Sequence, residues 1–103
     1  MPKVAIIGGG AAGVACAIAA AREVAEALVF ERADRVGKKL LVTGNGRCNM
    51  SNADIMSSDY NDPEFVQEAM NVLPPESVMA FFEDLGVLAF EEDEGRIYPY
   101  SNK

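Results

Sequence analysis

Residues 3–31 read KVAIIGGGAAGVACAIAAAREVAEALVFE, and the order of features in this stretch decides the fold. Residues 3–7 form a short apolar run with β-branched Val4, Ile6 and Ile7 that stops at glycine, the form of a buried parallel strand. The turn Gly8-Gly9-Gly10-Ala11-Ala12-Gly13 follows. Residues 14–26 read as an alanine-rich helix whose small side chains let it lie close to a sheet, and residues 27–31 (ALVFE) as a second apolar strand ending in an acid. Strand, glycine turn, helix and strand in that order predict a right-handed βαβ crossover with parallel strands.

Each glycine of the turn has its own physical task. Gly8 permits the tight turn out of the strand, Gly10 leaves room for a pyrophosphate to approach the backbone, and Gly13 lets the helix pack on the strands. The start of the helix then offers unpaired N–H groups and the positive end of its dipole to phosphates. Glu31 lies 18 residues after Gly13, close to the spacing of about 20 at which a strand-end carboxylate reaches adenosine ribose hydroxyls. The pattern points to a dinucleotide without separating FAD from NAD, and the carboxylate disfavours a 2′-phosphate. A glycine commonly closes such a crossover helix, but residues 22–27 contain none. The expectation is a helix that runs on or ends in a poorer cap, at a modest cost in stability.

At 103 residues, half of them hydrophobic, the chain has material for one modest core, hence one domain or part of one. Its cysteines, Cys16 and Cys48, form no CxxC pair, and histidine is absent. That composition excludes a zinc site, a Ser–His–Asp triad and a Cys–His dyad within the chain, and no metal is expected. The net charge of −7 divides unevenly: residues 1–50 carry +3 and residues 51–103 carry −10. An acidic chain is repelled by phosphate backbones, so no nucleic-acid partner is expected. The basic excess lies in the half assigned to the pyrophosphate.

Residues 4–21 form an uncharged run of 18, long enough to raise the question of a membrane span. Three successive glycines would each cost a helix about 1 kcal/mol relative to alanine, and no aromatic anchors flank the run. The glycines also interrupt any signal-peptide apolar core. The expectation is a soluble cytoplasmic protein without a membrane partner.

Beyond the βαβ unit, residues 32–52 have basic, glycine-rich loop character broken by residues 40–43, and residues 53–62 read as polar loop. Pro63 behind Asp62 opens a helix with Phe65, Val66, Ala69, Met70 and Leu73 on one face. Pro74-Pro75 ends it, and Pro75 starts a second helix with Val78, Phe81, Phe82 and Leu85 at helical spacing and Gly86 as C-cap. Residues 87–90 and 96–98 read as two strands around the acidic turn 91–95. Both apolar stripes read as core faces, Cys16 as a core residue, Cys48 as a packed thiol, and Tyr98 and Tyr100 as packing residues.

Four blocks carry a family resemblance: GGGAAG at 8–13, ER at 31–32, GKKLLVTGNGRCN at 37–49 and GRIYPYSNK at 95–103. On these the sequence resembles the bacterial NAD(P)/FAD-dependent oxidoreductase family that includes aminoacetone oxidase and dehydro-bile-acid reductase flavoproteins. Members are several times longer, so the resemblance is to their N-terminal part. It implies FAD as cofactor, with the pyrophosphate at Gly8, Gly10, Ala12 and Gly13 and the ribose at Glu31. Arg32 and Lys39 would lie near the adenosine or phosphates. Thr43, Gly44, Asn45, Gly46 and the segment Arg47-Cys48-Asn49 would run along the cofactor towards the flavin. The residues themselves agree in kind: Gly44 and Gly46 around Asn45 allow close backbone approach, and Lys38, Lys39 and Arg47 supply cations. From charge alone, Lys38 and Lys39 read as a solvated basic face.

The expected fold is α/β: a Rossmann-like FAD/NAD(P)-binding βαβ unit and glycine-rich loop over residues 1–52, then two short helices and a β-hairpin over 53–103. Together they make an incomplete doubly wound domain. The expected function is the FAD-binding segment of a flavin-dependent oxidoreductase acting on a small-molecule substrate, with NAD(P)H as candidate electron donor. The alternatives are a non-catalytic dinucleotide-binding module and a fragment of an NAD-linked dehydrogenase. No catalytic acid or base is assigned.

Overall fold

The structure, a computed structural model, describes residues 1–101. The chain divides into two compact units, Met1–Gly46 and Arg47–Lys103.

In the first unit, β1 (Lys3–Ile7), α1 (Ala11–Arg22) and β2 (Glu26–Phe30) form the expected crossover. β1 and β2 pair in parallel from Lys3 opposite Glu26 to Ile7 opposite Phe30. Gly8 N–H donates to the Phe30 carbonyl and Glu26 N–H to that of Pro2, so the ladder extends past both strand ends. α1 packs against both strands, on the side of Val4, Ile6, Ala27 and Val29. On the other side Ala5, Ile7, Leu28 and Phe30 are exposed, Ile7 at 84 %. The unit closes with a 3-10 turn at Lys38–Leu41 and a single helical turn, α2 (Thr43–Gly46), where a loop was expected.

Two details of the crossover differ from the sequence reading. α1 begins at Ala11, three residues before Val14, because the alanines after Gly10 take helical geometry at once. It ends at Arg22, and Val24 then takes φ +60°, a left-handed conformation. Val24 N–H donates to the Ala21 carbonyl and Ala25 N–H to that of Ala20, the Schellman pattern with valine where glycine normally sits. This is the poorer cap expected from the missing glycine.

The second unit carries an antiparallel sheet in the order β3 (Ser51–Asn52), β5 (Arg96–Pro99), β4 (Ala89–Glu91). The hairpin β4–β5 was expected. The two-residue strand β3 was not, since its polar residues carry no strand signal. Two helices stand where the prolines put them, α3 (Pro63–Val72) and α4 (Pro75–Asp84). Asp62 caps α3 by accepting the Phe65 N–H at 3.1 Å. α4 ends in a regular Schellman motif with Gly86 in the left-handed position.

The apolar stripes are less buried than core faces should be. Val66 and Met70 are half-buried, but Phe65 is 68 % exposed, and α3 and α4 hold no buried residue. Among the described residues the buried apolar side chains of ordinary core type are Ile6 in the first unit and Tyr98 in the second. Cys16 is exposed on α1, which corrects its reading as a core residue. No helix among the described residues is long and apolar enough to cross a membrane; the uncharged run is split into β1, the glycine turn and α1.

Val24 yields a direct test. A left-handed L residue costs about 1–2 kcal/mol, and glycine gives back part of that through unfolded-state entropy. Val24→Gly should therefore stabilise the intact protein by about 0.5–1 kcal/mol in chemical unfolding. A loss of stability would contradict the strained cap.

Candidate dinucleotide-binding site

The turn between β1 and α1 works through space as much as through bonds. A Cβ on Gly13 would overlap the Gly8 carbonyl oxygen, so the first turn of α1 reaches the end of β1 only because residue 13 has no side chain. At Gly10 the situation is reversed: a Cβ there would meet nothing within 4 Å. That open space borders the start of α1, where no side chain caps the helix and no acidic residue lies in the first turn. The N–H groups of Ala11, Ala12 and Gly13 have no acceptor among the described residues. Unclaimed donors, a dipole end and room at Gly10 together make an anion-binding surface.

Gly9, which the sequence reading passed over, holds the turn in place. It is buried, and a Cβ would come within 2.7 Å of the Val36 methyl and 3.3 Å of Glu31 Cβ. Its N–H donates to Glu31 Oε1 at 2.8 Å, and its carbonyl accepts the Gly37 N–H at 2.6 Å. The middle glycine of the run 8–10 was the available signal for this contact, but nothing in the spacing pointed to Val36 as the neighbour.

Glu31 stands at the tip of β2, beside the turn. Besides the Gly9 N–H on Oε1, its Oε2 accepts the Ala33 N–H at 2.8 Å. The Ala33 hydrogen bond first, then that of Gly9, holds the carboxyl below its ordinary value, with a smaller contribution from the Arg32 charge. Each carboxylate oxygen keeps a further lone pair, so the group can brace the loop and still accept from a hydroxyl.

The other sequence-predicted residues are placed unevenly. Ala12 is exposed in the first turn of α1. Arg32 and Lys39 are exposed, while Lys38 pairs with Asp34 at 2.8 Å on the surface, in line with a solvated basic face. Thr43 Oγ1 donates to the Leu40 carbonyl, and Gly44 and Gly46 both have positive φ. Asn45 belongs to α2, but its side chain lies outside the described residues, as do Asn102 and Lys103 of the last resemblance block. Asn49 belongs to the second unit and is exposed. That unit also contains a cavity of about 460 Å³ lined by Asn52, Asp54, Ile55, Asp59, Tyr60 and Glu94, none of them a predicted site residue.

Residues 2–103 match the family described as HI0933-like protein Rossmann domain. The chain belongs to that family. It is 42 % identical over 107 aligned positions to a 3-dehydro-bile acid delta(4,6)-reductase of Clostridium scindens, covering all of this chain and 26 % of that protein. It is 30 % identical over 95 residues to a ribosomal RNA dihydrouridine synthase of Haemophilus influenzae, covering 90 % of this chain and 24 % of that protein. A ribosomal RNA dihydrouridine synthase of Escherichia coli is 34 % identical over 67 residues, 63 % of this chain and 17 % of that protein. The chain thus spans about a quarter of the length of the first two relatives. A Rossmann domain implies a nucleotide cofactor, and the geometry of the glycine turn fits one.

Two predictions follow from the turn and from Glu31. Gly13→Ala should destabilise the protein by about 1–3 kcal/mol in thermal or chemical unfolding, whereas Gly10→Val, with φ −79° and open space, should unfold like the parent. Equal losses in both variants would contradict the packing described. Because the Glu31 carboxyl ionises at a lower pH in the folded state than in the unfolded chain, its stabilisation is full at neutral pH. It is lost as the pH falls below the ordinary carboxylate range. Glu31→Gln should remove that part of the acid dependence, and superimposable acid-unfolding curves for the two proteins would refute it.

Proposed function

We propose that the protein is an FAD-dependent oxidoreductase and that the glycine turn holds the adenosine diphosphate end of its cofactor. The observation that carries this is the union of open space at Gly10, unclaimed N–H groups at Ala11–Gly13 and an ionised Glu31 one loop away. The residues fit the group: the helix start takes the pyrophosphate, Gly10 and Gly8 let it reach the backbone, and Glu31 accepts from the ribose hydroxyls. Arg32 and Lys39 are exposed, and by the family resemblance they add positive charge near the adenosine or phosphates. Thr43, Gly44, Asn45, Gly46 and Asn49 are assigned to the cofactor by family resemblance. FAD, when bound, supplies hydride transfer at the flavin, and the protein's part is binding, orientation and electrostatics.

The relatives' names support a reductive direction. One is a delta(4,6)-reductase of a 3-dehydro bile acid and the other two are dihydrouridine synthases. Both names denote saturation of a carbon–carbon double bond conjugated with a carbonyl, and that is the substrate chemistry proposed here, with NAD(P)H as electron donor. The charge of −10 over residues 51–103 supports a small-molecule substrate over ribosomal RNA.

The intact protein should purify yellow, with the visible absorbance of bound flavin, and NADH or NADPH should bleach it in the absence of oxygen. Gly10→Val should be folded and colourless. A colourless parent protein that binds NAD in calorimetry would overturn the FAD reading, and reduced flavin that is reoxidised without oxygen only by ribosomal RNA would overturn the small-molecule one.

A further inference from the structure

Long-range contacts in each unit fasten irregular chain to regular structure. In the second, Arg47 lies over the Tyr98 ring and pairs with Glu92, so its charge is met within the protein. In the first, the segment 31–37 folds back on the glycine turn and grips a single residue, Gly9. Glu31 Oε1 accepts the Gly9 N–H at 2.8 Å, and Gly37 N–H donates to the Gly9 carbonyl at 2.6 Å. The Val36 side chain fills the place that a Cβ on Gly9 would need. An ion pair between Asp34 and Lys38 also closes the segment on itself, but both side chains are exposed and such a pair contributes little.

Gly9 differs from its neighbours in why it is glycine. Gly8 has φ +99°, a conformation that favours glycine, and Gly10 borders open space. Gly9 is not among the residues with left-handed φ, so its backbone would accept alanine. The obstacle is Val36, whose Cγ1 would lie 2.7 Å and whose Cβ would lie 3.1 Å from an added methyl group. The grip also has a chemical effect. A carbonyl left unpaired beside the start of α1 is an acceptor that competes with a phosphate for the Ala11–Gly13 donors. With both polar groups of Gly9 spent on Glu31 and Gly37, that competition is removed.

We propose that Val36 is a positioning residue: seated on Gly9, it keeps the segment 31–37 docked, so that the Gly9 peptide stays bound to the protein and the Ala11–Gly13 N–H groups are left to a pyrophosphate. This rests on the cofactor reading above and deepens it, because it assigns the middle glycine of the run to Val36 and not to the ligand. Every residue involved belongs to the unit Met1–Gly46.

The test uses the intact protein with Val36→Ala, Gly9→Ala and the two combined, at a temperature where each is folded. Without ligand, amide hydrogen exchange at Gly9 and Gly37 should quicken about two- to fivefold in Val36→Ala. ADP and FAD are then titrated separately, because ADP carries the pyrophosphate and ribose without the flavin. Val36→Ala should weaken both by about two- to fivefold, and Gly9→Ala by roughly tenfold. The combined variant should bind both more tightly than Gly9→Ala alone, because truncating Val36 removes the atom 2.7 Å from the new methyl group. A ligand that itself needed the space at Gly9 would leave the combined variant no better than Gly9→Ala, and that result would overturn the proposal. So would parent-like exchange in Val36→Ala, or a loss of FAD affinity with ADP affinity unchanged. Val36 is 48 % exposed, so Val36→Ala opens no deep cavity and keeps the test available if Gly9→Ala does not fold. A parent protein that binds neither ADP nor FAD would sink the functional reading, while the exchange rates would still decide whether Val36 holds the segment.

Discussion

At the junction of β1 and α1 the backbone of the Gly13 turn lies against the Gly8 carbonyl, closer than any side chain at residue 13 would allow. This contact sets the angle at which α1 leaves the sheet, and so where the unclaimed N–H groups of Ala11–Gly13 point. It also forces a tight turn, which would be free to rearrange were it not tied from the other side. Glu31 and Gly37 supply the tie through the N–H and carbonyl of Gly9. One acid thereby links the end of β2 to the glycine turn, and under the proposed function it also accepts from the ribose. Structural brace and ligand acceptor are compatible because a carboxylate has more lone pairs than the loop uses.

Much of this was legible in the sequence because backbone geometry has a narrow vocabulary. Only glycine fits at residue 13, a short β-branched run stops abruptly at Gly8, and a proline inside a helix is at home only in its first turn, as at 63 and 75. The missing glycine after α1 foretold a strained end, although not that Val24 would carry it. What escaped depends on long-range neighbours. β3 exists because β5 offers it a ladder, not because Ser51 and Asn52 favour strands. The contacts of Gly9 with Val36 and of Arg47 with Tyr98 and Glu92 join residues whose spacing carries no periodicity.

Burial was the least legible quantity. The stripe on α3 has core spacing yet leaves Phe65 and Leu73 exposed, that on α4 is half-buried at Val78, Phe81 and Phe82, and the Ile7–Phe30 side of the first sheet is exposed. Periodicity reports which face is apolar and is silent on what covers it. Parallel sheets are stable with both faces covered, and relatives of about four times this length have further chain with which to do so. Cys16 likewise lies on a side of its alanine-rich helix that is exposed among the described residues.

Whether the glycine turn and Glu31 hold the adenosine diphosphate of FAD is decided by a crystal structure of the intact protein with FAD. Pyrophosphate oxygens should lie within hydrogen-bonding distance of the Ala11, Ala12 or Gly13 N–H groups, with phosphate beside Gly10 and a ribose hydroxyl on Glu31. Adenosine diphosphate bound elsewhere, with the Gly10 face left to solvent, would contradict this placement.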